Sequence, residues 1–231
     1  MTSYDSNINL SSEKTQVRII CVRCGVLMEE STKFYFVGNN LSLDFVNTLV
    51  TSNLGPVDLL ENTNDLIRWS AVTGLIERGD ISKLEEDWSL EGDEIIDRAR
   101  RFRSTLHELL DGIRLDATVG DASLRLLNKA LARQTGRTEV VRGETGFAKR
   151  FLTDFSDPEQ ILAAIASSAA DLICYADLGL IKKCESDECV LIFHDTSKNH
   201  SRRWCSMAHC GNLAKARAFY SRKKGIRVRI D

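Results

Sequence analysis

The chain has 231 residues, 43% hydrophobic and 28% charged, with a formal net charge of −2. That is the composition of an ordinary globular protein with a core, and a near-neutral total does not mark the whole chain as a polyanion binder. No apolar run reaches the roughly 18 residues a membrane span needs, and "VRIICVRCGVLM" is interrupted by Arg18 and Arg23, so it reads neither as a span nor as a signal peptide.

In chain order, residues 1–32 carry no trustworthy period and read as a loosely ordered, flexible extension. "KFYFVG" reads as a short strand that turns at Gly38, and "LSLDFVNTLV" places Leu41, Phe45 and Leu49 on one helical face. "TNDLIRWSAVTG" predicts a helix capped by Asn64 and stopped at Gly74. "DEIIDRARRFRSTLHELLDGI" gives the clearest amphipathic stripe, through Ile95, Ala99, Phe102, Leu106, Leu109, Leu110 and Ile113. "DASLRLLNKALAR" is another helix. "RTEVVRGETGFAKRFL" changes to short strands that turn around Gly143–Gly146 as a hairpin. The last body helix is capped by Asp157, takes Pro158 at its first position and ends at Gly179. On its apolar face Cys174 reads as a small buried hydrophobe.

The resulting fold class is mainly α with a few short strands (α+β). A helical domain over residues 33–180 is followed by a small cysteine-bearing module over residues 181–231. The charge changes at that boundary. Residues 181–231 hold twelve basic residues against five acidic ones, whereas residues 1–180 hold nineteen against twenty-eight. A basic module on an acidic body points to two parts with different partners. No phosphate-cradling glycine loop, His-Glu-x-x-His motif or serine elbow is present. The chain is therefore not read as an enzyme.

The C-terminal thiols are Cys184, Cys189, Cys205 and Cys210, in the pattern C-x4-C-x15-C-x4-C. A cytoplasmic setting, inferred from the missing leader and span, favours metal over disulfides. Each short spacing lets one turn present two sulfurs to the same ion, and two turns complete a tetrahedron. Zn²⁺ suits four thiolates; an iron–sulfur cluster also takes them, and His209 could replace a sulfur. Four thiolates leave no open coordination position, so the site is structural and not catalytic. Between the pairs, "HDTSKNHSRRW" offers Lys198, Arg202 and Arg203 to phosphates and Asn199 and His200 to base edges. After them, "GNLAKARAFYSRKK" predicts a helix whose Leu213, Ala216 and Tyr220 face the metal module, flanked by Lys215 and Arg217. This pattern predicts DNA binding. The competing reading is an adaptor that docks on an acidic protein of the transcription machinery. "CVRCG" leaves Cys21 and Cys24 as half a metal site without a second pair nearby.

At these residues the segment resembles the CGNR zinc finger, named for a Cys-Gly-Asn-Arg run at its last ligand. Here the run is Cys210-Gly211-Asn212-Leu213, so leucine stands where that family has arginine. "FYFVGNNLSLDFVNTL" and "DLIRWSAVTGLI" resemble the ABATE domain that precedes this finger, and the likeness spans about residues 33–224. The resemblance implies a bacterial, stress-linked transcription regulator in the cytoplasm, with one structural zinc, DNA as partner and a helical body that senses a small effector or forms a homodimer. Asp44, Asn47, Arg68 and Trp69 match the body's motif blocks and are the candidates for lining an effector pocket.

Overall fold

The amphipathic stripe at residues 95–113 becomes the axis of the molecule. A computed structural model describes residues 33–52, 54–115, 120–143 and 146–223; Cys21, Cys24 and the extension at 1–32 lie outside the described residues. From Phe34 onward the chain forms one compact unit. Helix α4 (Gly92–Arg114) is the longest element, 23 residues or about 35 Å. It buries Ile95, Ile96, Ala99, Phe102, Leu106, Leu109 and Leu110. Helix α5 (Asp121–Leu131) and helix α6 (Glu159–Tyr175) pack in sequence beside it. The alanines of α6, Ala163, Ala166 and Ala169, are fully buried and let neighbouring backbones approach closely.

Ahead of α4 come helix α1 (Leu41–Val46), a hairpin of β1 (Leu49–Ser52) and β2 (Gly55–Asp58), helix α2 (Thr63–Val72) and helix α3 (Ile81–Asp87). Helix α1 is only six residues long, so Leu49 does not share a helical face with Leu41 and Phe45 but begins β1. The cap of α2 is Asn62, not Asn64: its side chain accepts from the Asp65 N–H while the Asp65 carboxylate accepts from the Asn62 N–H. Gly74, at φ +77°, follows the end of that helix as the spacing predicts. Phe45 meets Trp69 edge-on at 5.3 Å between ring centroids, and both are fully buried.

Arg103 enters this core from α4. It donates to both carboxylate oxygens of Asp58 at the end of β2, and to Thr48 Oγ1 at 2.9 Å. Burial alone would raise Asp58, and the Arg103 guanidinium overrides it and holds the carboxyl below its ordinary value.

The second hairpin, β3 (Arg137–Gly143) with β4 (Gly146–Leu152), turns between Gly143 and Gly146 as expected. The capping of α6 holds to within one residue, with Asp157 Oδ1 accepting from the Glu159 N–H. The helix stops at Tyr175, short of Gly179, because Ala176 turns to extended backbone at ψ 160°. Cys174 is exposed on it, so the buried position expected of that thiol is corrected. The final hairpin joins β5 (Ile181–Lys183) to β6 (Ile192–His194), and helix α7 (Asn212–Lys223) closes the described chain. No helix among the described residues is long and apolar enough to cross a membrane.

Candidate metal centre and basic helix

Two tight turns build the cysteine cluster. The first is closed by Cys189 N–H donating to Ser186 O at 2.8 Å and by Cys184 N–H donating to Leu191 O at 2.9 Å. The second contains a single wide helical turn, Met207–Gly211, with Gly211 N–H donating to Ser206 O at 3.0 Å. An added Cβ at Gly211 would meet Met207 Sδ at 2.5 Å, so any side chain there would have to displace the exposed end of Met207. A bond from Glu185 N–H to Arg203 O at 3.0 Å ties the turns together.

The four sulfurs of Cys184, Cys189, Cys205 and Cys210 all lie within 4.8 Å of one another. Cys189 and Cys205 are 3.7 Å apart, and Cys205 and Cys210 are 3.6 Å apart. A tetrahedron with Zn–S bonds of about 2.3 Å has edges of about 3.8 Å, so the cluster fits a zinc ion directly. The protons also ask for a cation. Hydrogen bonds from Cys189, Cys205 and Cys210 pull the Cys184 thiol far down, and the same bonds to Cys184 push Cys189 and Cys205 up. A divalent ion resolves that sharing by ionising the thiols together. His209 is not needed, since four sulfurs already complete the set.

The cluster is joined to the helical body by an unusual density of hydrogen bonds. Asn47, just past α1, is 2% exposed. Its side chain reads both backbone groups of Ile192 in β6: Nδ2 donates to Ile192 O at 2.9 Å, and Oδ1 accepts from Ile192 N–H at 3.0 Å. The segment expected to be a strand, Phe34–Gly38, is instead an extended strap laid on the metal module. Gly38 O accepts from His194 N–H at 2.9 Å, and Val37 O accepts from Arg202 Nη2 at 2.8 Å. It forms no strand because its partners lie in separate places along the module, not in one ladder. Asn39, in the left-handed region at φ 56°, donates from Nδ2 to His194 O at 3.0 Å.

Apolar contacts follow the same seam. Ile181 and Ile192 belong to the main core, while Tyr35, Val37 and Val50 pack on the small cluster of Cys184, Leu191, Phe193 and Cys205.

Two residues organise the stretch between the cysteine pairs. Asp195 is fully buried and accepts from Lys182 Nζ at 2.7 Å, from Ser197 N–H and Oγ, and from Arg202 N–H at 2.9 Å. Burial would raise its pKa, but these donors hold it well below the carboxylate range. Arg202 turns inward. Its guanidinium lies 4.1 Å over the Phe193 ring and donates to the carbonyls of Trp204, Val37 and Cys205. A side chain so occupied holds the second turn against the strap. Asp195 was missed by sequence reasoning; its signal was a lone acidic residue in a basic stretch.

The other expected DNA contacts are outward. Lys198, Asn199 and His200 share one exposed loop, with His200 in the left-handed region at φ 48°. Arg203 is half-exposed, pairs with Glu185 and lies beside Trp204. Lys215 and Arg217 are exposed on α7, where Arg217 Nη2 reaches Glu188 at 3.4 Å. No residue of α7 is buried. Leu213 is 43% exposed and Tyr220 63%, so the inward stripe expected of Leu213, Ala216 and Tyr220 is corrected to the half-buried Ala214, Ala218 and Ser221.

The four residues suggested as effector contacts are not brought together. Asn47 clamps Ile192, though it also borders a cleft of about 280 Å³ lined by Val46, Val50, Arg103, His107 and Val190. Asp44 accepts from Gly38 N–H at 2.7 Å, and burial raises its pKa to about 7 against that bond and the nearby Arg202 charge. Arg68 is exposed beside Asp65 and Glu85, and Trp69 is core.

Comparison with known families agrees with this geometry. Residues 181–223 match the CGNR zinc finger, and the ligand set is accordingly that of one structural zinc ion. Residues 39–176, more than half of the chain, match the ABATE model, described as "Putative stress-induced transcription regulator". No curated protein matches the chain. The chain belongs to the ABATE family, carrying its helical domain and a CGNR zinc finger in one molecule.

Proposed function

We propose that the protein is a DNA-binding transcription regulator whose zinc site fixes a basic helix for the double helix. The observation that carries this reading is α7. It leaves the last zinc ligand, buries no residue, and presents Lys215, Arg217, Arg222 and Lys223 to solvent. A folded segment with no fully buried residue that carries this much charge is suited to phosphates. Lys198, Asn199, His200 and Arg203 lie on the same module and extend the basic surface. In this reading Arg202 serves by holding the second cysteine turn in place. The reading places the protein in the cytoplasm with the chromosome and assigns it no enzymatic role.

The helical body is read as the part that takes the signal, through a small effector or a second copy. The cleft beside Asn47 and Val190 supports the effector, because it touches both the body and the residues leading into β6. The adaptor reading has its own support: Phe219 and Tyr220 stand side by side on α7, 55% and 63% exposed, as a protein-docking pair would.

A salt series with zinc-loaded full chain and a labelled duplex separates these. DNA binding predicts a slope of log affinity against log salt of about −0.9 for each phosphate neutralised. The variant Lys215→Gln/Arg217→Gln is expected to flatten that slope by about two units. An unchanged slope in this variant, or capture of a protein that survives high salt and nuclease, would sink the DNA assignment.

A further inference from the structure

Basic side chains of the helical body fall into two classes. Along α4 all but the exposed Arg101 are consumed internally. Arg98 pairs with Glu159 at 3.0 Å, Arg100 with Asp58 at 3.3 Å, Arg103 with Asp58, and Arg114 with Asp111 at 2.7 Å.

On α5 and the β3–β4 hairpin the opposite holds. Arg125, Lys129 and Arg133 recur every fourth residue, along one outer edge of α5 and the turn after it. Arg137 and Arg142 add two cations on β3, an odd number of residues apart and so on opposite faces of the hairpin. All five are exposed, and none forms an ion pair among the described residues.

The charge is segregated and not merely present. Residues 125–150 hold seven basic residues against Glu139 and Glu144, while the rest of residues 1–180 holds twelve basic against twenty-six acidic. Arg78, Lys83 and Arg101 are exposed and unpaired elsewhere in the described body, but only here do five such cations cluster on one helix edge and one hairpin, and such clustering on an acidic body suits a polyanionic partner.

The hairpin adds apolar surface to that charge. Strand alternation puts Val140, Arg142, Phe147 and Phe151 on one face. Val140 is 72% exposed and Phe147 75%. The Arg142 guanidinium lies 5.4 Å from the Phe147 ring centroid, so a cation and an aromatic plane are presented together near the hairpin tip. An exposed apolar face could also meet a second copy of itself, but that would bring two surfaces of the same positive charge together. An exposed ring set among cations fits a nucleic acid instead, with phosphates neutralised and a base or sugar against the ring.

We infer that the outer edge of α5 and the β3–β4 hairpin form a second nucleic-acid-binding surface, separate from the zinc finger. Arg125, Lys129, Arg133 and Arg137 take phosphates, and Arg142 with Phe147 takes a sugar or base. The inference shares its partner, DNA, with the function proposed above, and rests on that reading to this extent only.

The test uses zinc-loaded full chain, a labelled duplex and a salt series, with two variants measured in parallel. The body variant is Arg125→Gln/Lys129→Gln/Arg137→Gln/Arg142→Gln; the finger variant is Lys215→Gln/Arg217→Gln. All six side chains are exposed, and zinc content and melting temperature check that both variants fold. The expected result is that the body variant binds about tenfold or more weakly at low salt, with a slope shallower by about two units or more. If only the finger variant weakens, this surface is overturned and the DNA reading stands. If wild-type chain shows no salt-dependent binding, both fall. If the body variant binds like wild type but sediments as a different oligomer, the face belongs to a second copy and the inference fails.

Discussion

The residues up to Cys205 and those after Cys210 share one zinc site, and the rest of the molecule treats them in opposite ways. Before Cys205, β6 is clamped by Asn47, strapped by Gly38 and Asn39, and packed through Ile192 into the main core. After Cys210, α7 fully buries no residue and only half-buries Ala214, Ala218 and Ser221. Neither half could be exchanged for the other. The welded half makes the zinc site a part of the body's core, and the free half leaves a charged helix available to a partner. The difference teaches that the zinc ion serves as the joint between a stability problem on one side and a binding problem on the other.

The sharpest way to break this contrast is Asn47→Ala. It strands both backbone groups of Ile192 in a buried seam, at about 1–3 kcal/mol each, so a loss of about 3 kcal/mol and roughly 10 °C in Tm is expected by calorimetry. A loss within error would mean that water replaces the side chain and the weld is not structural.

Next in size is the pair of neighbouring arginines. Arg202→Ala removes three carbonyl contacts and the stacking on Phe193, and is expected to cost about 2 kcal/mol and to speed zinc loss to a chelator. Arg203→Ala, which removes a half-exposed pair with Glu185, should stay within about 0.5 kcal/mol of wild type. Equal effects would erase the distinction between inward and outward arginines.

A smaller effect is expected with pH. The Asp44 carboxyl is raised to about 7 by burial, above its unfolded value of 3.8. The folded state therefore holds its proton longer, and the stability it contributes is fully present below pH 3.8 and lost as pH rises through 7. Burial depresses His194, which works in the other direction between its folded value and 6.5. The informative comparison is thus wild type against Asp44→Asn, by urea unfolding between pH 5.5 and 8. The variant should lose the part of the slope in which stability falls as pH rises. Identical slopes would remove Asp44 from the seam's electrostatics.

The smallest expected effect lies on the free half. Leu213 is exposed where the CGNR pattern carries arginine. Leu213→Arg should tighten duplex binding about threefold, through one further phosphate contact, without moving Tm. A stability change without an affinity change would place residue 213 on the welded side.

Much of this was legible in the sequence because the signals were local. The heptad-like stripe of α4, the glycine turn of the β3–β4 hairpin and the paired C-x4-C spacings each fix structure within a few residues. What could not be read depends on chain-distant partners. The strap at Phe34–Gly38 has an apolar, strand-like composition, but its hydrogen bonds run to His194 and Arg202, more than 150 residues away. Asn47 both clamps Ile192 and borders the cleft, and only the chain-distant position of Ile192 reveals the first of these uses. Arg202 and Arg203 are adjacent and chemically equal, and nothing local says that one stacks on Phe193 while the other faces Glu185. The stripe on α7 was misassigned for a related reason: small alanines make the contact, and the larger Leu213 and Tyr220 point outward.

The most direct test is amide hydrogen exchange on full chain with and without a zinc chelator. If the zinc site is part of the body's core, chelation removes protection from Leu41–Asn47 and Ile181–His194 in one cooperative step. If Ile181–His194 loses protection while Leu41–Asn47 keeps it, the module is an independent appendage and the weld between finger and body is contradicted.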